Sequence, residues 1–437
     1  MKDKIINSGF SYFWSSEGKE AISNVKLKYY ENFCSNEQKV IAKAFIKSEN
    51  VLLHKLMSAI RLENNIDSNI SPIKLDTIEN VMIKPVSDIC NLACTYCYEG
   101  DGDNRYKYST MPLSTLELII EQSFQNVKDQ ITFLWHGGEP TLAGISFFEK
   151  AVNLQQKYNT KCVNVNNIIQ TNGITIDDRW LSFFLKNRFY IGLSLDGNKE
   201  INDGMRVDHK GSGTFDKVMS AIKGIKSYGM EFGIIMVVNE AHKGRAGTVF
   251  NFLLENDIYN FDIHPGYGQK FKLHPKDYSE FVIEIFDLWL KSGNEKIRIS
   301  MFDDLFQFLI GEMPSTCYFA GTCTKIFAIE SDGNIVPCTR PFDRSKYTFG
   351  NIKTTALVDI LKSDSHEEFK KKDLISQSNS KSCPWYSICH NGCPQHRSND
   401  GLQDILGTNL YCKCQSGEDG GNFEIWSHVN KAIRHYL

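Results

Sequence analysis

Short runs of β-branched and aromatic residues alternate with amphipathic stretches between about residues 79 and 291. The runs have the length of buried strands, and the stretches carry apolar residues at helical spacing. Predicted strands lie at 80–85, 131–135, 165–170, 190–195, 232–238 and 260–264. Predicted helices lie near 114–127, 146–157, 178–187, 214–228, 244–255 and 276–291. This alternation predicts βαβ units and hence an α/β fold, with a parallel sheet curled into a full or partial barrel.

The pattern changes on both sides of this region. Residues 1–78 are mixed, with a helix-like apolar pattern at 36–61 and a polar stretch at 63–71 that is typical of a linker. From about residue 315 onward cysteine, proline and glycine increase and the periodicity weakens, as in a small domain held together by metal. We therefore expect three parts: an N-terminal accessory segment at 1–78, a barrel at 79–310 and a cysteine-rich domain at 311–437.

Composition narrows the function classes. The chain has 437 residues and a net charge of -3, which gives no basic footprint for a nucleic-acid partner. No apolar run has the length of a signal peptide or a membrane span, so we expect a cytoplasmic protein without a membrane partner. Thiols seldom form structural disulfides in that compartment, so the 13 cysteines are better explained as metal ligands. Only Cys34 and Cys162 are isolated, and the other eleven fall in groups at 90–97, 317–338 and 383–414.

The first group, Cys90, Cys94 and Cys97, has the spacing CxxxCxxC on a loop that follows the first predicted strand. Three thiolates this close together suit a cubane iron–sulfur cluster, whose usual ligands are cysteines. Three ligands for four irons leave one iron open to a small molecule, which makes the loop a candidate catalytic site. Structural zinc usually takes four protein ligands, often as paired CxxC, so it is the weaker explanation. Apolar packing of the thiols in a core is the other alternative.

With an aromatic residue, Tyr96, before the third cysteine, this loop resembles that of the radical S-adenosylmethionine (SAM) superfamily. The segments WHGGEP (135–140), QTNG (170–173) and SLDG (194–197) follow at later strand ends and resemble those of anaerobic sulfatase-maturating enzymes. The resemblance implies a partial (β/α)6 TIM-like barrel with a SAM-coordinated 4Fe–4S cluster on the three cysteines. It assigns SAM binding to Tyr96, Gly137, Gly138, Glu139, Pro140, Asn172, Ser194, Asp196 and Arg206.

The resemblance also implies the chemistry. SAM would bind the open iron through its amino and carboxylate groups, and an electron from the cluster would break a carbon–sulfur bond. The resulting 5′-deoxyadenosyl radical abstracts a hydrogen atom from the substrate, while the protein orients the cofactor and excludes competing reactions. A reductant such as flavodoxin or ferredoxin is therefore an expected partner.

The C-terminal cysteines resemble the SPASM extension of peptide-modifying radical SAM enzymes, which holds two auxiliary 4Fe–4S clusters. The resemblance assigns the first cluster to Cys317, Cys323, Cys338 and Cys393, and the second to Cys383, Cys389 and Cys412. Ser380 stands where the family has a further cysteine, and Cys414 is the predicted substitute. A serine ligand, an open iron and loss of the second cluster remain alternatives, as does a zinc-ribbon-like site.

The substrate is the least determined part of the prediction. SPASM enzymes of this kind act on peptide or protein side chains. In sulfatase maturases an aspartate that serves as a base follows the cysteine equivalent to Cys338, and this chain has Thr339 there. A threonine hydroxyl is a poor base, and Asp343 is a candidate replacement, so Thr339 and Asp343 are the predicted catalytic residues.

Three hypotheses follow from these observations. The preferred one is a ribosomal-peptide (RiPP) maturase that forms a side-chain cross-link, with residues 1–78 gripping a leader peptide by strand addition. The second is an anaerobic sulfatase maturase that oxidises cysteine or serine to formylglycine, and Thr339 weakens it. The third, from another class, is a non-catalytic zinc-binding scaffold.

Overall fold

The computed structural model describes residues 78–98, 110–266, 273–309, 316–317, 319–321, 323, 326–340, 342–378, 380–383, 385–397, 406, 411 and 421–436. The predicted helix at 36–61, the linker at 63–71 and the leader-peptide role of residues 1–78 lie outside this part of the chain, apart from Ile78. The predicted domain boundaries after residues 78 and 310 stay predictions.

A ten-stranded sheet organises the described residues. Its strands are β1 (Asn80–Ile83), β2 (Gln130–Trp135), β3 (Asn164–Thr171), β4 (Phe189–Ser194), β5 (Phe232–Val238), β6 (Asn260–Pro265), β7 (Arg298–Ile299), β8 (Ala328–Ile329), β9 (Asn334–Val336) and β10 (Gly350–Asn351). Their order is β10-β9-β8-β1-β2-β3-β4-β5-β6-β7. Strands β1 to β7 pair in parallel with their neighbours, and β8 joins β1 in parallel. The sheet is not closed, which confirms the predicted partial barrel.

Helices cross between these strands. They are α1 (Leu113–Gln125), α2 (Ile145–Tyr158), α3 (Asp178–Lys186), α4 (Lys199–Met205), α5 (Phe215–Ser227), α6 (Ala246–Glu255), α7 (Pro275–Ser292), α8 (Ser300–Leu309), α9 (Arg344–Tyr347), α10 (Leu357–Ile360), α11 (Asp364–Ser378), α12 (Tyr386–Cys389) and α13 (Asn422–Tyr436). The six predicted strands and six predicted helices are present with small shifts at their ends, whereas β7 to β10, α4 and α8 to α13 were not predicted. None of the helices in the described ranges has the length and apolar content that crossing a membrane requires.

Strand β2 shows how the apolar pattern becomes the core. Its alternate residues Ile131, Phe133 and Trp135 are fully buried, as expected where every second side chain of a strand faces the core. The indole of Trp135 contacts the ring of Phe148 on α2 edge to face, with 5.2 Å between centroids. Its Nε1 donates to Oδ1 of Asn167 at 2.9 Å, so the buried polar atom is satisfied. Each such large apolar side chain contributes roughly 1.5–3 kcal/mol by burial.

A buried ion-pair network joins the cysteine-rich part to the barrel. Lys84 directly follows β1, and Glu330 directly follows β8. Lys84 Nζ lies 2.5 Å from Asp88 Oδ1 and 3.5 Å from Glu330 Oε1. Arg344 donates to both carboxylates, at 3.0 Å to Asp88 and 2.5 Å to Glu330. The side chains of Lys84, Asp88 and Glu330 are almost fully buried, whereas that of Arg344 is partly exposed at the edge of the network. Two cations and two anions therefore compensate one another at this junction. The β1–β8 pairing and this network fix the two parts against each other.

We expect Glu330→Ala to lower the free energy of unfolding by roughly 3–5 kcal/mol, because it leaves the buried Lys84 with less compensating charge. Urea unfolding under anaerobic conditions measures the change. Glu367→Ala is the matched control, since its pair with Lys370 is solvent-exposed and is expected to contribute less than about 1 kcal/mol. Equal losses in the two variants would contradict the structural role of the network.

Candidate active site

The cysteine loop, residues 88–98, lies beyond the carboxyl end of β1 and is hydrogen-bonded to the end of α4 and to the segment that follows it. The backbone N–H of Ala93 donates to the carbonyl of Val207 at 2.8 Å, and that of Thr95 donates to the carbonyl of Met205 at 2.9 Å. Functional residues of parallel barrels collect at the carboxyl ends of the strands, and the cysteines of this loop lie there.

The three thiols of the loop lie close enough to influence one another. Burial raises the pKa of Cys90 to about 12; a backbone N–H opposes this rise, and Glu139, Cys94 and Cys97 add to it. Burial also raises the pKa of Cys94, although Arg206 opposes the shift. Thiols in this environment need nearby positive charge to become thiolates, and the irons of a cluster provide it. The donor set therefore fits the predicted cluster.

Tyr96, Asp196 and Arg206, each predicted to bind SAM, form one buried group. Tyr96 Oη donates to Asp196 Oδ2 at 2.6 Å, and Arg206 NH2 donates to Asp196 Oδ1 at 2.9 Å. The backbone N–H of Val237 on β5 also donates to Oδ1, at 3.0 Å. One carboxylate at the end of β4 thus connects the cysteine loop, strand β5 and the segment after α4.

Tyr96 and Arg206 keep their usual protonation states despite burial. Burial raises the pKa of Tyr96 well above its usual range, and although Arg206 opposes the shift, the phenol stays neutral and donates. Burial by itself lowers the pKa of Arg206. Asp196 and Tyr96 raise it by more, so the pKa lies above its usual range and the guanidinium stays charged. Its Nε–H is buried and donates no hydrogen bond to any residue that the structure describes. A buried cationic donor of this kind fits an anionic group such as the predicted carboxylate of SAM.

Gly137 and Gly138 pack against the start of the cysteine loop. Both have positive φ, 81° and 47°. A Cβ on Gly138 would lie 2.2 Å from the carbonyl oxygen of Ile89, and one on Gly137 would lie 2.4 Å from the side chain of Lys84. The two positions therefore need glycine for their backbone conformation as well as for space.

Glu139 is fully buried and held by its neighbours. Its Oε1 accepts hydrogen bonds from Thr141 N, Thr141 Oγ1 and Thr171 Oγ1, and its Oε2 accepts one from Asn172 N at 2.7 Å. Burial raises the pKa of Glu139, while these hydrogen bonds oppose the rise. Pro140–Ala143 forms a short 3-10 helix directly after it. Because Oε1 accepts three of these hydrogen bonds and Oε2 accepts one, Oε2 is the oxygen better placed to accept a hydrogen bond from an ammonium group.

Two further predicted residues lie at the ends of β3 and β4. Asn172 Nδ2 donates to Asn91 Oδ1 at 2.8 Å and approaches the Sγ of Cys90 at 3.6 Å. Ser194 Oγ accepts from Gln170 Nε2 at 3.2 Å. The predicted SAM residues thus lie on one rim of the sheet, and their ligand roles stay predictions.

Two histidines that support this rim were not predicted. His242 Nε2 donates to the Asp196 carbonyl oxygen at 2.7 Å, and burial lowers its pKa, so it is neutral. His242 lies three residues after Asn239 and forms a capping box with it. That pattern can be recognised in the sequence, but it does not predict the contact with Asp196. His209 Nε2 bonds the carbonyl oxygen of Cys90 at 3.0 Å, a contact with no signal in the sequence.

Four thiols assigned to the first auxiliary cluster are brought together. Burial raises the pKa of Cys323 well above its usual range, and Cys317, Cys393 and Cys338 all contribute to the rise. No three cysteine, histidine or carboxylate side chains of the described ranges converge closely enough for a single metal ion. A cubane cluster does not require this, because it binds each cysteine to a different iron. The grouping fits a polynuclear cluster.

A small cavity lies beside Cys383 and Cys389, two of the cysteines predicted to bind the second auxiliary cluster. It is lined by Ser380, Cys383, Trp385, Tyr386, Cys389, Asn391, Phe423 and Trp426. The Nε1–H of Trp426 is buried and donates no hydrogen bond to a described residue. Cys412 and Cys414 lie outside the described residues, so the fourth ligand stays a prediction.

The structure places the two predicted catalytic residues differently from each other. Thr339 is buried, with Oγ1 3.8 Å from the Sγ of Cys338. Asp343 caps α9: its Oδ1 accepts from Ser345 N at 3.0 Å and from Ser345 Oγ at 2.6 Å, and these bonds lower its pKa. Capping explains the carboxylate of Asp343 without a catalytic role. Both catalytic assignments stay predictions.

Two family models match the chain. Residues 85–248 match the radical SAM superfamily, and residues 317–394 match an iron–sulfur cluster-binding domain, SPASM. A cysteine-type anaerobic sulfatase-maturating enzyme of Clostridium novyi is 35% identical over 367 residues, which cover 81% of this chain and 98% of that protein. This chain belongs to the radical SAM superfamily, in the family of anaerobic sulfatase-maturating enzymes.

Other relatives agree with this placement. A serine-type anaerobic sulfatase-maturating enzyme of Bacteroides thetaiotaomicron is 31% identical, over 80% of this chain and 89% of its own length. The solved structure of anSMEcpe with bound AdoMet has a TM-score of 0.73 and 33% identity, over 82% of this chain and 99% of that one. SuiB of Streptococcus suis with S-adenosylmethionine has a TM-score of 0.54 at 17% identity, over 93% and 88%, and shows the fold alone.

The radical SAM enzyme therefore acts on a peptide or protein, with a SAM-bound 4Fe–4S cluster and auxiliary iron–sulfur clusters. This outcome argues against the zinc-scaffold hypothesis. When bound, the SAM-coordinated cluster supplies the 5′-deoxyadenosyl radical. Cys90, Cys94 and Cys97 would hold that cluster, while the buried Tyr96–Asp196–Arg206 group and Glu139 would orient SAM.

We expect Arg206→Gln to weaken SAM binding roughly 10- to 100-fold, because a hydrogen bond to a charged group contributes about 1.5–3 kcal/mol. Equilibrium binding of SAM to the anaerobically reconstituted protein measures the change. Arg245→Gln is the control, since the Arg245 side chain is exposed and pairs with Glu200. If both variants bound SAM like the wild type, the assignment of Arg206 would fail.

Proposed function

We propose that this enzyme oxidises a cysteine or serine side chain of a sulfatase to formylglycine. The observation that carries the proposal is the 35% identity to a cysteine-type maturating enzyme along 98% of that enzyme's length. Identity to a serine-type relative is lower, at 31%, so cysteine is the favoured target. The barrel and the cysteine-rich part are both matched by family models, at residues 85–248 and 317–394, and the proposed reaction uses both parts.

This proposal reverses the preference for a cross-link in a ribosomal peptide. That preference depended on Thr339 and on the N-terminal segment, whose described part is Ile78 alone. The similarity to SuiB, at 17% identity, concerns the fold and does not favour its chemistry. By contrast, anSMEcpe has been solved with the Cp18Cys and Kp18Cys peptides bound, at 32% identity to this chain. Flavodoxin or ferredoxin stays the proposed class of reductant.

The residues of this chain have three tasks in the proposed reaction. Arg206 and Glu139 hold the two ends of the amino acid part of SAM, so that the radical forms in a fixed place. The hydrogen bonds of Ala93 and Thr95 to Val207 and Met205 hold the cysteine loop, and with it the proposed cluster, in one place. A third task, removal of the proton of the target side chain, needs a base, and the Thr339 hydroxyl is a poor one at neutral pH.

The reductively activated enzyme is expected to convert a sulfatase-derived peptide with its target cysteine into an aldehyde product. Mass spectrometry and capture by a hydrazine detect the aldehyde, and the serine version of the peptide tests the second target. Cys94→Ala is expected to abolish both the aldehyde and 5′-deoxyadenosine. Formation of 5′-deoxyadenosine by the wild type with a cross-linked peptide and no aldehyde would return the ribosomal-peptide hypothesis to first place.

A further inference from the structure

A cluster of ionisable side chains lies beside the SAM site, apart from the residues that are proposed to hold SAM and the iron–sulfur cluster. This histidine cluster consists of Asp262, His264, Arg340, His396 and His136. His264 Nε2 lies 3.0 Å from Asp262 Oδ2. Arg340 reaches two imidazoles at 3.5 Å, with NH2 near His264 Nδ1 and NH1 near His396 Nε2. His136 is close enough for Arg340 and His264 to lower its pKa.

The cluster lies between two regions with different tasks. His136 directly precedes the two glycines of the SAM site, and His264 lies at the carboxyl end of β6 on the same rim. Arg340 and His396 follow Cys338 and Cys393, which are assigned to the first auxiliary cluster. We expect a target side chain oxidised between the SAM site and that auxiliary cluster to lie near these residues.

The members of the cluster differ in charge. Burial, Lys84 and Arg340 lower the pKa of His136 to about 4, and burial holds the pKa of His396 well below its usual range. Burial raises the pKa of Asp262, but His264, a backbone N–H and Arg340 together lower it below its usual range, so it is a carboxylate. His264 Nε2 lies 3.0 Å from a carboxylate oxygen of Asp262, and this contact orients the imidazole ring.

We propose that His264, oriented by Asp262, is the base that accepts the proton of the target side chain. This assignment rests on the proposed function. The target group –CH2–XH, with X sulfur or oxygen, becomes –CH=X by losing one hydrogen atom, one proton and one electron. The hydrogen atom goes to the 5′-deoxyadenosyl radical, the proton goes to His264 Nδ1, and the electron goes to an iron–sulfur one-electron acceptor. Where X is sulfur, water then replaces it to give the aldehyde, and the sulfur leaves as hydrogen sulfide.

The geometry assigns a separate task to each nitrogen of His264. Nε2 faces the carboxylate of Asp262, which fixes the ring and favours the tautomer with its proton on Nε2. Nδ1 is then the basic nitrogen, and its 3.5 Å separation from Arg340 is longer than a usual hydrogen bond, so a target X–H can compete for it. The guanidinium beside Nδ1 stabilises the negative charge that develops on X. An Asp-oriented histidine is a common arrangement for general-base catalysis.

His264→Ala separates this role from a structural one. We expect 5′-deoxyadenosine formation to stay within about threefold of wild type, while aldehyde formed per 5′-deoxyadenosine falls roughly 100-fold or more, because positioned bases typically contribute a factor of about 10²–10⁴. Asp262→Asn should lower the same ratio by a smaller factor, since the imidazole stays. Peptide affinity, measured by fluorescence anisotropy without SAM, should change little in either variant. His428→Ala removes another histidine–aspartate pair, 2.7 Å from Asp287, and should leave the ratio unchanged.

An unchanged ratio in His264→Ala would overturn the assignment, provided that the wild type forms the aldehyde. If the alanine variant loses its iron or its SAM cleavage, the ratio in His264→Gln decides in the same way, because glutamine keeps most of the side-chain volume without a basic nitrogen. Absence of aldehyde with the wild type would instead refute the proposed function. The two failures are therefore distinguishable.

Discussion

The rim of the barrel depends on the buried carboxylate of Asp196. Its two oxygens accept hydrogen bonds from Tyr96, Arg206 and the backbone of β5, and its own carbonyl accepts one from His242. Burying an ion pair is costly, and such pairs are weak evidence for stability by themselves. We interpret this pair as fixing geometry: it holds the cysteine loop at one distance from the end of β4, where the SAM-binding residues lie.

A second constraint acts between the barrel and the cysteine-rich part. The β1–β8 pairing continues the sheet into that part, and Lys84, Asp88, Glu330 and Arg344 compensate one another across the junction. The first auxiliary cysteines therefore have a defined position relative to the SAM site. The histidine cluster combines His264, at the carboxyl end of β6, with Arg340 and His396 of the cysteine-rich part, so the proposed base lies where the two parts meet.

Much of this could be predicted from the sequence because the signals were local. Periodicity predicted the strands and helices of the barrel, and polar segments after strands predicted the SAM rim, since parallel strands end at one edge. Strand β8 has two residues and no periodic signal, so its pairing with β1 was not predictable. Asp343 was predicted to be a base from its position four residues after Thr339; its carboxylate caps a short helix, a contact that the sequence pattern did not indicate, and its catalytic role stays a prediction.

The choice between two peptide-modifying reactions is where similarity to known enzymes changes the preferred prediction. One substituted position, Thr339, was given more weight than the order of the motifs, although a proton acceptor can be supplied by any element that reaches the target. Asp262 and His264 have the period-two spacing of one face of β6, and such polar positions are read by default as solvent-facing. The tertiary contact of His264 with Arg340 is what brings them together with residues of the cysteine-rich part.

In the proposed reaction the radical generated at this rim abstracts a hydrogen atom from the Cβ of a peptide cysteine, which is then oxidised. The decisive experiment uses a sulfatase-derived peptide deuterated at that Cβ, with mass spectrometry of the 5′-deoxyadenosine released. We expect 5′-deoxyadenosine that carries a single deuterium, in step with loss of the label from the peptide. Unlabelled 5′-deoxyadenosine alongside a modified peptide would contradict it.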